Sequence, residues 1–164
     1  MVRLDNQDIN STRKWPNDTV WYHYNQMKYY VKTVLPYVLE AETLFNEMNA
    51  RLNDPALTGK QRRQYIREKE GMVHERFEDK ILTLNETQGV LLIKLIARQT
   101  GFNIYQQLGD IKGSLSALKW QGWALVHGFN LNRKYHPEDE VDLEHIMRSL
   151  GYQLPAFYNN GDVN

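Results

Sequence analysis

Residues 84–101 read LNETQGVLLIKLIARQTG, and the reading of this stretch decides the fold. Val90, Leu91, Leu92, Ile93, Leu95, Ile96 and Ala97 are broken only by Lys94. A helix that is apolar on nearly every side, yet too short to cross a bilayer, belongs in the middle of a globular core. Its ends are marked too. Asn85 followed three residues later by Gln88 fits an N-cap with a capping box. Gly101 fits the left-handed residue after a helix C-terminus. The pattern predicts a helix over residues 86–100 with the other helices packed around it. The expected fold is all-α, a single domain of five or six helices.

Working outward toward the N-terminus, Tyr24, Met27, Val31, Val34, Val38, Ala41, Phe45, Met48 and Leu52 recur at alternating steps of three and four. This is a helix-packing seam. It can pack internally or against another copy of the chain. Pro36 lies inside it and predicts a kink or break near Leu35. Asn53-Asp54-Pro55 ends this helix, and a second is expected over residues 59–82, with Tyr65, Ile66, Met72, Val73, Phe77 and Ile81 facing inward. Its outer face mixes Lys and Arg with Glu, as a solvated helix does.

On the C-terminal side, residues 103–111 read as a short helix. Residues 115–127 read as another, capped by Ser114 and stopped by Gly128. The last helix is expected to start at His136-Pro137-Glu138-Asp139, with Pro at its first position and acids in its first turn. Residues 1–18 are polar and read as a flexible arm, 19–152 as the helical domain, and 153–164 as a tail; Tyr152, at the end of the domain, and Leu154 and Phe157 of the tail are available to dock.

Composition narrows the function. Lys plus Arg and Asp plus Glu are both 20, so no net field draws the chain to nucleic acid or an anionic membrane. The charge is uneven along the chain: residues 81–134 carry six Lys/Arg against two Asp/Glu, and residues 135–164 carry one against six. There is no Cys, which excludes disulfides, thiolate metal sites and a Cys nucleophile. No run is long and apolar enough for a transmembrane segment, and the N-terminus has no apolar signal-peptide region.

Few residues suggest chemistry. A helical di-metal site wants Glu-x-x-His pairs, and the chain has none, so no metal and no cofactor are expected. No hydrolase signature is present either, and no catalytic residue is assigned. One polar cluster stands out: Arg98, Lys112, Ser114 and Asp142. A basic residue beside a helix N-terminus makes an anion site. The anion could be a small phosphate or carboxylate, or an acidic side chain of the last helix forming an internal salt bridge. A second candidate is the aromatic group around Trp21 and Tyr24, because Trp and Tyr are enriched at partner surfaces.

Four segments in order, VKTVLPYVLEAETL, LNETQGVLLIKLIARQTG, KGSLSALKWQ and NLNRKYHPEDEVDLEHI, resemble a bacterial domain-of-unknown-function family common in Bacteroidetes. The family pattern maps onto Pro36 and Tyr37, Gln88 and Gly89, Lys94, Arg98, Thr100 and Gly101. It continues at Gly113 and Ser114, Trp120 and Gln121, Asn130, Tyr135, Pro137 and Asp142. The chain departs from it where Lys112 stands in place of Arg and His136 in place of Asp. The lysine loses a planar bidentate donor. Members often carry a signal peptide, so the resemblance implies a periplasmic or cell-envelope location and no established activity. The expected function is non-enzymatic, through binding an unknown protein partner. The alternative is a small-anion or enzymatic domain built on Arg98, Lys112, Ser114 and Asp142.

Overall fold

The computed structural model describes residues 17–112, 124, 128 and 130–159. Within them lie five α-helices: α1 Asp18–Leu52, α2 Gly59–Leu82, α3 Glu86–Thr100, α4 Ile104–Lys112 and α5 Val141–Ser149. A 3-10 turn, Ala156–Asn159, follows, and no strand occurs among the described residues. Of the arm expected over residues 1–18, residues 1–16 lie outside the described residues, while Asn17 caps α1 and Asp18 opens it. The helix expected at 115–127 lies outside the described residues, apart from Ala124.

The chain is a single all-α domain, and α3 is its centre. Gly89, Leu91, Leu92, Ile93, Leu95, Ile96, Ala97 and Arg98 are all buried. The capping box forms as the spacing requires: the Gln88 N–H donates to Asn85 Oδ1 at 2.9 Å, and the Asn85 N–H donates to Gln88 Oε1 at 3.1 Å. Gly101 takes φ +77°, and its N–H closes the helix on Ala97 O.

α1 packs on α3 along the first part of the predicted seam, burying Tyr24, Val31, Val34 and Val38, and the seam's last residues, Met48 and Leu52, are buried in a separate cluster. Of the kink or break expected near Leu35, the break does not occur. The helix continues through Pro36 for 35 residues in all. Proline removes one backbone donor from a helix. Here Val34, Leu35 and Val38 are buried around it, and that packing holds the helical path through the lost bond.

α2 begins with its own capping box, Thr58 to Gln61. It covers a second, smaller cluster of Leu44, Met48 and Leu52 with Tyr65, Ile66, Met72 and Val73. The last helix starts later than expected, at Val141. Asp139 N bonds back to His136 O at 3.1 Å and Glu140 N to Pro137 O at 3.3 Å. Pro137 thus serves as the second residue of a turn, a position its fixed φ suits as well as a helix start. α5 buries Leu143, Ile146 and Met147 in the main core.

Candidate functional site

α3 and α5 meet through a polar ladder inside the core. Lys94 and Arg98, four apart on α3, lie on one face of that helix. Lys94 pairs with Glu140 and Arg98 with Glu144, which are also four apart. The equal offset means that the two segments run side by side in the same direction. Arg98 is 0% exposed and Glu144 5%. The guanidinium donates through Nε to Oε1 at 2.7 Å and through Nη2 to Oε2 at 3.0 Å. Its remaining donors reach Gln99 Oε1 at 2.6 Å and Tyr152 O at 3.3 Å. The Tyr135 hydroxyl donates to Glu144 Oε1 at 2.6 Å.

The charges in this cluster are internally balanced. Burial alone would raise the Glu144 carboxyl, but the hydrogen bonds from Arg98 and Tyr135 outweigh it and hold the group below its usual range. Burial, followed by the bond to Glu144, drives the Tyr135 hydroxyl far above its usual value. Burial also pushes the Tyr158 hydroxyl up to about 12, against the pull of Arg98.

The candidate residues from the sequence fall in different places. Arg98 is committed to Glu144 rather than to Asp142. Asp142 is half-buried in the first turn of α5. Lys112 is the last residue of α4, with its side chain outside the described residues, and Ser114 lies outside them altogether. Of the four, only the side chains of Arg98 and Asp142 fall within the described residues. Trp21 is 53% exposed, whereas Tyr24 is 7% exposed and turned inward, its hydroxyl bonded to His145 Nδ1 at 2.5 Å. The exposed companions of Trp21 are Tyr22 and Tyr29.

Two hollows complete the picture. One, of about 190 Å³, is walled by apolar groups of α1 to α4, including Phe45, Val73, Phe77, Leu92, Ile96 and Ile104. The other is a polar cleft of about 240 Å³ between the α3–α4 elbow and residues 134–138. Asn103, Lys134, His136 and Glu138 line it, with Phe102 and Tyr158. Sequence reasoning missed this cleft because its walls come from segments more than thirty residues apart. The one local signal was Asn103, which caps α4: the Gln106 N–H donates to its Oδ1 at 2.8 Å. Among the described residues no group of three His, Asp or Glu could hold a metal ion, and no helix is long and apolar enough to cross a membrane.

Comparison with known proteins gives one match: the family model "Domain of unknown function (DUF4294)" covers residues 1–149. The chain belongs to that family. No curated protein and no solved structure matches it.

Proposed function

We propose that this DUF4294 protein is a non-enzymatic, bacterial cell-envelope protein that works by binding another protein through the outer face at the start of α1. The observation that carries the reading is aromatic exposure. Trp21, Tyr22 and Tyr29 are 53%, 59% and 65% exposed on one helix. Tyr22 and Tyr29 are seven residues apart, two turns, and so share a face. Large aromatics gathered on one surface are the composition of an interface core. Lys32 is exposed on the same half of the helix. The fitting partner presents an apolar cleft with acidic groups at its edge. The buried Arg98–Glu144–Tyr135 cluster serves the fold, because the guanidinium's donors are already taken by Glu144, Gln99 and Tyr152. The envelope location rests on the family resemblance.

The test is a capture experiment from envelope and cytoplasmic fractions. The parent chain is compared with a Trp21→Ala/Tyr22→Ala/Tyr29→Ala variant and with an Arg63→Ala control on α2. The expected result is a stoichiometric partner from the envelope fraction, retained by the control, lost by the triple variant and weakened by salt. Identical capture by parent and triple variant would remove α1 from the interface. A partner found only in the cytoplasmic fraction would overturn the location.

A further inference from the structure

We propose that the cleft between the α3–α4 elbow and residues 134–138 binds a small carboxylate, gripped by the Asn103 side-chain amide and the Lys134 ammonium. Asn103 is 2% exposed and lines the cleft. Its Oδ1 is used in capping α4, but its Nδ2 has no hydrogen-bond partner. A buried donor without an acceptor is costly and rare in folded proteins. Capping does not explain it, because Ser, Thr or Asp caps a helix equally well and strands no amide donor. An acceptor supplied by a ligand accounts for the choice of Asn.

The neighbours define that acceptor. Lys134 on the facing wall is exposed and adds one positive charge, so a charged acceptor gains a charge-assisted bond. α4, nine residues long, directs the positive end of its dipole toward the Asn103 side of the cleft. Two groups could oppose an anion. The last turn of α3 is one, but Ala97 O already accepts from the Gly101 N–H at 2.9 Å and the Tyr158 hydroxyl at 3.4 Å. Glu138 is the other. Its side chain is 73% exposed, so solvent screens it, and it sits 3.8 Å from His136 Nδ1. With one lysine and no free arginine lining it, the cleft matches a single negative charge rather than a phosphate dianion. The Phe102 and Tyr158 rings supply an apolar surface for the body of the ligand. A volume of about 240 Å³ suits a molecule of the size of benzoate.

The test uses the full chain and three probes: benzoate, its neutral isostere benzamide, and inorganic phosphate. The Asn103 side-chain amide signal is followed by NMR through each titration. Benzoate is expected to shift it saturably, and benzamide and phosphate to do so about tenfold less tightly. Asn103→Ser keeps a cap and removes the amide donor, and should weaken benzoate about tenfold. Lys134→Ala, at an exposed position that carries no fold risk, should weaken it by a similar factor. Absence of a saturable shift with benzoate would overturn the site. Equal affinity for benzamide, tighter binding of phosphate, or an unchanged Lys134→Ala variant would overturn the carboxylate assignment. The triple variant on α1 should bind benzoate like the parent, which keeps this inference separate from the partner surface.

Discussion

Arg98 and Glu144 meet through two parallel hydrogen bonds of 2.7 and 3.0 Å, with both side chains buried. This fork is the strongest pairing geometry open to a guanidinium and a carboxylate. It also joins α3 to α5, which no loop connects directly. A buried pair of this kind specifies how the two helices sit against each other, while its net contribution to stability is small, because both ions had to leave water.

The pair should therefore behave asymmetrically in a mutant cycle. Arg98→Met strands a buried carboxylate and should cost about 3–5 kcal/mol in urea unfolding. Arg98→Met combined with Glu144→Leu should recover most of that loss. The double variant leaves the Tyr135 hydroxyl without its acceptor, so adding Tyr135→Phe should recover more. If the single and double variants lose the same amount, the two residues are not coupled in the folded protein.

The same cluster sets the response to acid. Glu144 has a lowered carboxyl pKa in the fold, against burial, because Arg98 and Tyr135 donate to it. A lowered folded value means that the unfolded chain takes up the proton first. Its stabilisation is complete above the ordinary glutamate value of about 4.3 and is lost as pH falls below it. In Arg98→Met the balance reverses. Burial then dominates, the carboxyl rises, and protonation helps the fold. The stability gap between parent and Arg98→Met should narrow as unfolding is measured from about pH 7 down to about pH 4. A gap that stays constant would mean that the carboxylate is not desolvated.

Tyr24 and Trp21 lie on one turn of α1 and should separate structure from surface. Tyr24→Phe removes the hydroxyl bonded to His145 and should cost about 1 kcal/mol. Tyr24→Ala also opens a hole in the main core and should cost about 3 kcal/mol. Trp21→Ala should stay within about 0.5 kcal/mol of the parent, because more than half of that side chain is in solvent. Thermal or urea unfolding of the three variants decides the matter. A large loss for Trp21→Ala would place it inside the fold.

These contrasts show where the sequence is readable. α2 and α3 carry their start signals locally, as Thr58 with Gln61 and Asn85 with Gln88, and both helices form at those residues. The path through Pro36 is set by tertiary packing, which a local rule about proline does not contain. Glu144 is hidden for a similar reason. On α5 it resembles any solvated acid, and its role depends on Arg98, 46 positions earlier. A faint trace exists, in two basic residues four apart on an apolar helix and two acids four apart near the C-terminus. Composition groups Trp21 with Tyr24, but periodicity separates them: Tyr24 opens the seam that turns inward and Trp21 falls outside it. The cleft at Asn103 has no trace beyond a capping residue, since its walls are assembled only by folding.

The C-terminal turn gives the sharpest local prediction. Gly101 has φ +77°, a conformation in which a side chain costs about 1 kcal/mol. A Cβ there would also stand 3.0 Å from Cε2 of Phe157, in the 3-10 turn that packs on the end of α3. Gly101→Ala therefore carries two penalties, backbone strain and displacement of the ring, and should cost about 2 kcal/mol in all. The two can be separated. In a Phe157→Ala background the ring is gone, and Gly101→Ala should cost only the backbone part, about 1 kcal/mol. An equal cost in both backgrounds would mean that Phe157 does not rest on Gly101 in solution, and the turn at Ala156–Asn159 would then be detached from the helix that organises the fold.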